Sequence, residues 1–268
     1  MIYIFPFFFL LLILLVYSYL EAGFLEVKGV RICENNECLK IVQLSDIHFG
    51  RLRVKKEKIK REIEKVQPDI ILITGDCIED PKDVNGFLDF INYVKGNYMT
   101  CLCFGNHDYG AFINDNKALN DFVKNLNDIG IKVLQDEYIQ YIKNNKIYNI
   151  IGFKDISTGS THLVSALYNK EDNVFMNIGF AHNPDIIFRL PRKSLDYLLC
   201  GHFHGGQIWA PFNFEFRIFR KEKLCKMGIK RGLHKVRGIN LYISRGIGNV
   251  IIPLRFLSPP EITVFYLP

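Results

Sequence analysis

Five short segments of this sequence contain histidine, aspartate or asparagine, and each follows an apolar run. They are Ser45-Asp46-Ile47-His48, Gly75-Asp76, Gly105-Asn106-His107-Asp108, Ala181-His182-Asn183-Pro184-Asp185 and Gly201-His202-Phe203-His204-Gly205-Gly206-Gln207. Carboxylates and imidazoles near a core are costly unless a cation coordinates them. Mixed oxygen and nitrogen donors without cysteine suit Mn²⁺, Fe or Zn²⁺ and disfavour a closed structural zinc site. Because the donors are too many for one ion, we expect two divalent metal ions, with Mn²⁺ favoured.

Alternating strands and helices must position these segments. Apolar patterning predicts helices over residues 55–66 and from Asp83, with a further helix ending at Gly130. Strands are predicted at 39–45, 69–74, 98–104, 131–134, 174–181, 194–200, 239–244 and 262–267, and as a hairpin over 138–153 that turns at Asn144 and Asn145. The pattern indicates an α/β (α+β) protein whose sheets are flanked by helices. Ligand sites in such proteins lie just past the carboxyl ends of strands, where the five segments fall.

Residues 2–20 contain no charge and are long enough, as a helix, to approach the thickness of the hydrocarbon core. The segment has neither the basic start nor the small-residue cleavage site that a cleaved signal peptide requires. We therefore expect a transmembrane anchor at 1–23 and a catalytic domain at 24–268. Lys28, Arg31 and Lys40 follow the segment, which favours a single-pass cell-membrane protein with its domain on the cytoplasmic face.

The composition describes a folded protein rather than a disordered one. Of the 268 residues, 49% are hydrophobic, and the net charge of +6 gives no indication of a nucleic-acid partner. The seven cysteines include no CxxC pair, so we expect them to be reduced, with Cys77, Cys101, Cys103 and Cys200 in or beside core strands. One alternative stays open. Cys33 and Cys38 flank a short loop and can pair if the domain lies outside the cytoplasm.

A basic run follows the last of the five segments. From Arg217 to Arg237 there are nine Lys or Arg residues and one acid, Glu222. Aromatic residues precede or enter the run, namely Trp209, Phe212, Phe214, Phe216 and Phe219. Such a loop can hold a diphosphate or an anionic lipid head group, and it can equally be a solvated surface loop.

In order and spacing, D-x-H, GD, GNHD, H and GHxH resemble the signature of the calcineurin-like metallophosphoesterase superfamily. The segments GHFHGGQ, SRGIGN and PLRF-LSPPEI are similar to those of a bacterial membrane-associated branch. Some relatives of that branch hydrolyse UDP-2,3-diacylglucosamine. The fold that the resemblance implies is a central two-sheet β-sandwich flanked by helices.

The resemblance also implies a role for each motif residue. Asp46, His48, Asp76 and His204 hold the first ion, and Asp76 bridges to a second ion held by Asn106, His182 and His202. His107 lies beside the scissile phosphate as a charge stabiliser or general acid, and Asp108 orients it.

These expectations describe a membrane-anchored phosphoesterase that hydrolyses phosphodiester or pyrophosphate bonds with metal-activated water. Its substrate is a phosphate ester, with a lipid-linked or nucleotide-sugar compound as the favoured class. A phosphomonoesterase resembling protein phosphatases and a non-catalytic metal-binding scaffold are the alternatives.

Overall fold

The computed structural model describes residues 4–34, 37–159, 173–208 and 220–268. Its helices are α1 (Ile4–Glu21), α2 (Lys56–Val66), α3 (Val84–Lys95), α4 (Asn106–Ala111), α5 (Asn116–Asp128) and α6 (Lys223–Lys226). Its strands are β1 (Glu26–Arg31), β2 (Leu39–Leu44), β3 (Ile70–Thr74), β4 (Met99–Cys103), β5 (Ile131–Val133), β6 (Glu137–Lys143), β7 (Lys146–Gly152), β8 (Val174–Phe180), β9 (Tyr197–Cys200), β10 (Gly232–Val236), β11 (Ile239–Ile243) and β12 (Glu261–Leu267).

The strands form two mixed six-stranded sheets, as expected for a two-sheet α/β fold. The first has the order β1-β12-β2-β3-β4-β5, in which β2 to β5 run parallel and β12 is antiparallel to β2. The second has the order β10-β11-β9-β8-β7-β6, with antiparallel pairs at both edges around parallel β11, β9, β8 and β7. The parallel strands bring several strand ends to one edge of each sheet.

Alternation along the strands divides the apolar residues between two faces. In β2, Leu39 and Ile41 join a cluster shared with Tyr148 and Phe180 of the second sheet, so this cluster lies between the sheets. The neighbouring Val42 and Leu44 instead pack in a cluster with residues of α2, α3 and α5. A third cluster covers the other face of the second sheet with residues of the 3₁₀ turn Pro184–Phe188 and of α6. The molecule is therefore a layered structure around an inter-sheet core.

The predicted elements agree with the structure apart from four that the pattern missed, namely β1, β10, α4 and α6. β1 and β10 are edge strands with many exposed residues, so they lack the apolar run of a buried strand. α4 is only six residues long and begins within the GNHD segment. The basic run of 217–237 is not a simple loop, because α6 and β10 lie in it. The aromatic residues from Trp209 to Phe219 lie outside the described residues.

The cysteine expectation is correct for four core residues and wrong for one pair. Cys77, Cys101, Cys103 and Cys200 are free and buried. Cys33 and Cys38, however, form a disulfide with their Cα atoms 5.7 Å apart. The pairing that the sequence left open as an alternative is therefore the one that the structure shows.

The C-terminal end of α1 is attached to the segment 255–257. The Ser18 carbonyl accepts a bond of 2.9 Å from the Arg255 backbone, and a carboxylate oxygen of Glu21 accepts one of 2.8 Å from the Leu257 backbone. Tyr17 and Phe256 meet edge to face. Across the described ranges, none of the helices combines the length and apolar character that a membrane crossing requires, so the span predicted at 2–20 is not found among them.

Arg255 organises the segment that joins α1 to the sheet edge. Its side chain is fully buried, and its guanidinium donates hydrogen bonds to backbone carbonyls of Arg245, Gly246, Gly248 and Ser258. Burial lowers the pKa of Arg255 to about 10, which still leaves it charged at neutral pH. A buried charge of this kind is tolerated because carbonyl dipoles surround it.

Replacing Arg255 by Ala leaves several buried carbonyls without a donor and opens a cavity. We expect Arg255→Ala to lower the free energy of unfolding by about 3–5 kcal/mol, measured by urea denaturation. The exposed Arg231→Ala serves as control and is expected to stay within about 0.5 kcal/mol of the parent chain. Equal stability of the two variants would contradict the structural role of Arg255.

Candidate metal centre

The side chains predicted as metal ligands follow the ends of five strands. Asp46 and His48 come after β2, Asp76 after β3 and Asn106 after β4. In the second sheet, His182 follows β8, and His202 and His204 follow β9. The structure brings all seven together at one edge of the two sheets.

The first group joins Asp46, His48 and His204, which are all buried. The Nε2 atoms of His48 and His204 lie 3.2 Å apart. His204 Nε2 lies 3.4 Å from a carboxylate oxygen of Asp46. Two imidazole nitrogens and a carboxylate oxygen therefore converge on one point.

The second group joins Asp76, His182 and His202. His182 Nε2 lies 3.0 Å from an Asp76 carboxylate oxygen, 3.0 Å from His202 Nδ1 and 3.1 Å from the amide oxygen of Asn106. Asn106 thus adds a fourth donor atom to this group.

Asp76 connects the groups, because the carboxylate oxygen that faces His182 is also 3.6 Å from His48 Nε2. Burial raises the pKa of Asp76, but His182 and His48 outweigh it and lower the pKa overall. Burial alone would lower the pKa of His182, but the nearby carboxylates of Asp76 and Asp46 raise this pKa to about 10. For His48 and His204 burial prevails and lowers the pKa. The centre is strongly coupled around one buried carboxylate.

The backbone at the centre is in an unusual conformation. Positive φ angles occur at Asp46, His48, Asp76, His202 and His204. Such angles are uncommon outside glycine, and they cluster at functional sites where the surroundings hold the strain. Five of the predicted ligand residues are therefore turned into place by strained backbone.

The two residues predicted to act on substrate, His107 and Asp108, differ in their exposure to solvent. The His107 side chain is 37% exposed, and its ring stands edge to face with that of His48 at 5.0 Å between centroids. The Asp108 side chain is fully buried, and it accepts backbone bonds of 2.8–3.0 Å from Cys77, Ile78 and Gly105. Asp108 therefore fastens the GD loop to the start of α4, and its orienting of the His107 ring stays a prediction.

Two glutamates contact the centre and were not predicted. Glu79 lies 2.9 Å from His48 Nδ1 and 3.9 Å from His107 Nδ1, and it pairs with Arg51. Glu222 lies 3.0 Å from His202 Nε2. The position of Glu79 three residues after Asp76 was a usable signal, whereas Glu222 is hidden within a basic run.

Comparison with known proteins agrees with this geometry. The sequence profile of the family described as calcineurin-like phosphoesterase matches residues 39–206. The chain belongs to the calcineurin-like phosphoesterase family. It is accordingly a metal-dependent hydrolase of phosphate esters, and the two-sheet fold is that of the family.

Three relatives cover most of the chain. A metallophosphoesterase of Bacillus subtilis, YkoQ, is 33% identical over 84% of this chain and 82% of its own length. The phosphodiesterase YaeI of Escherichia coli is 29% identical over 93% of this chain and 90% of its own length. The UDP-2,3-diacylglucosamine pyrophosphatase LpxG of Chlamydia trachomatis is 27% identical over 84% of this chain and 82% of its own length.

The donor atoms of this phosphoesterase fit divalent ions. Ligand bonds of about 2.1 Å place neighbouring donors of one ion about 3 Å apart or slightly more. The imidazole nitrogens in each group face one another at 3.2 and 3.0 Å. The carbonyl of Thr74 lies 3.0 Å from His182 Nδ1, and this bond leaves the Nε2 lone pair free for a metal.

Gly105 allows α4 to approach the centre closely. A Cβ atom on Gly105, directly before α4, would lie 2.7 Å from the Asp76 backbone nitrogen and 2.8 Å from His182 Cγ, whereas one on Gly110 within α4 would meet nothing within 4 Å. We expect Gly105→Ala to lower Mn²⁺ affinity and turnover by about a hundredfold, because small displacements of reacting groups are that costly.

Gly110→Ala is the matched control and is expected to retain both properties. Calorimetric titration with Mn²⁺ measures the affinity, and circular dichroism verifies that each variant is folded. Normal Mn²⁺ binding by Gly105→Ala would contradict the close packing described here.

Proposed function

We propose that this chain is a membrane-associated phosphoesterase that uses two divalent ions, with Mn²⁺ favoured, to hydrolyse phosphodiester or diphosphate bonds. The observation that carries the proposal is the pair of donor groups joined at Asp76. Asp46, His48 and His204 would hold one ion, Asn106, His182 and His202 the other, and Asp76 would contact both. Ions bound there supply the charge that lowers the pKa of a water molecule and holds phosphate oxygens.

His107 is the residue best placed to act on the substrate. Its backbone nitrogen donates to Asp76 at 2.9 Å, which fixes the start of α4 against the centre, while its ring stays partly exposed. From this position the ring can stabilise charge on the phosphate or protonate the leaving oxygen. Asp108 supports this arrangement through the backbone of the GD loop.

A lipid-linked or nucleotide-sugar diphosphate is the substrate class we propose. The name of LpxG supports it, since that relative acts on UDP-2,3-diacylglucosamine. Arg220, at the start of the described part of the basic run, donates to the His202 carbonyl at 3.1 Å. This places a cation beside the centre, where a second phosphate group of a diphosphate would need one.

The proposal is tested by hydrolysis of bis-p-nitrophenyl phosphate and p-nitrophenyl phosphate by the full chain. We expect diester turnover that is lost after chelation and restored by Mn²⁺. Asp76→Asn is expected to lower turnover by about 10²–10³-fold, whereas the surface control Asp80→Asn retains it. Faster monoester than diester hydrolysis would favour a phosphomonoesterase, and metal binding without turnover of any phosphate ester would favour a scaffold.

The membrane association that we propose rests first on α1. Apolar side chains from Phe8 to Leu20 of this helix are largely exposed, including Phe9 and Leu20. Exposed apolar surface of this size is typical of contact with lipid or another protein. The helix would therefore insert its apolar side chains into a bilayer while its last turn stays on the domain.

A second apolar surface lies beside the metal centre. The rim, defined here as residues 250–257, carries Ile251 with 80% exposure and Leu257 with 46% exposure. The rim is bonded to Gln207 through the Val250 and Phe256 backbones and to α1 through Glu21. α1, the rim and the metal centre are thus adjacent, which would suit a substrate held in the membrane.

A fluorophore at position 251 tests this arrangement in the full chain reconstituted in phospholipid nanodiscs. We expect a probe on Ile251→Cys to be quenched by lipid-borne spin labels. Ile142→Cys is the control, because Ile142 is also an isoleucine and is 66% exposed, but it lies in the β6–β7 hairpin at the opposite end of the second sheet. Equal quenching at the two positions, or none at 251, would contradict the membrane-facing rim.

A further inference from the structure

The outer nitrogen of His202 faces Glu222, a residue from outside the segment that the family profile matches. Its Nε2 lies 3.0 Å from a Glu222 carboxylate oxygen, while Nδ1 faces His182 within the second donor group. The profile ends at residue 206. The partner of this imidazole is therefore supplied by a part of the chain beyond the shared motifs.

Glu222 is held in place from both sides. Arg220 donates to the Glu222 carboxylate at 3.3 Å and to the His202 carbonyl at 3.1 Å. On the other side, the backbone nitrogens of Lys223 and Leu224 donate to the Asp185 carboxylate at 2.6 and 3.0 Å. Asp185 follows His182 by three residues, so the segment 220–224 bridges the two histidine loops of the second group.

Packing fixes the same segment to the core. Leu224 and Cys225 are buried in the cluster that also contains Ile186 and Ile187. A carboxylate whose backbone is anchored in this way retains little freedom, and the interaction with His202 therefore costs little additional entropy. This explains one acidic residue in a run that is otherwise basic.

We propose that Glu222 is a positioning residue for the second metal ion, holding His202 with Nδ1 directed to that ion. The inference rests on the two-ion function proposed above. Carboxylates that accept from the outer nitrogen of a ligand histidine fix its orientation and raise its basicity, and their loss commonly weakens metal binding by about 10–100-fold. Glu222 provides this interaction for the second ion without touching the first donor group.

Titration of the full chain with Mn²⁺, in detergent and followed by calorimetry, tests the proposal. We expect two binding steps in the parent chain. Glu222→Gln and Glu222→Ala are expected to weaken one step by about 10–100-fold and to leave the other unchanged. A structural defect without a positioning role would weaken both steps together.

Glu62→Gln is the matched control, because the Glu62 and Glu222 side chains are each 18% exposed and ion-paired, Glu62 with Lys65 on α2. It is expected to bind Mn²⁺ as the parent does. Diester turnover by the Glu222 variants is expected to recover in excess Mn²⁺.

Three results would overturn the role of Glu222. These are unchanged binding in both Glu222 variants, equal weakening of both steps, and a single binding step in the parent chain. Absence of diester turnover in a parent chain that shows two steps would contradict the proposed function alone, since the calorimetric comparison would still stand.

Discussion

The carboxylate of Asp76 is buried between imidazoles from both sheets, and the arrangement of the centre depends on it. One of its oxygens faces His182 at 3.0 Å and His48 at 3.6 Å, and the other accepts from the His107 backbone at 2.9 Å. A buried carboxylate is costly without compensating charge. Divalent cations among these donors would supply that charge and relieve the crowding of imidazole nitrogens. The buried carboxylate therefore lowers the stability of the fold, and bound cations would offset this cost.

The architecture explains how so many polar groups reach one point. Parallel strands of both sheets end at the same edge, so the turns after β2, β3, β4, β8 and β9 meet there. The turns after β2, β3 and β9 hold residues with positive φ, and close approach is possible because Gly105 has no side chain between Asp76 and His182. Arg255 ties the adjacent segment to this edge and to the last turn of α1. Chemistry and attachment of the N-terminal helix therefore share one end of the molecule.

Much of this could be predicted from sequence, because the buried parallel strands have unbroken apolar runs and the donors follow directly. The residues that hydrogen-bond to the motif side chains could not be predicted in this way. The oxygens of Asp108 accept hydrogen bonds from three backbone nitrogens, and these bonds depend on the turn geometry of the GD loop, which the motif alone does not reveal. Glu222 resembles a solvated charge in a basic run, and it is the packing of Leu224 together with the backbone bonds to Asp185 that brings it to His202. The Cys33–Cys38 pair depends on how the end of β1 and the start of β2 are placed on either side of β12, which spacing alone does not determine.

The central claim is that two ions occupy the two donor groups, and anomalous diffraction from crystals of the chain grown with Mn²⁺ tests it most directly. We expect two anomalous peaks, one among Asp46, His48 and His204 and one among Asn106, His182 and His202, with Asp76 in contact with both. A single peak, or peaks bound to other residues, would contradict the account.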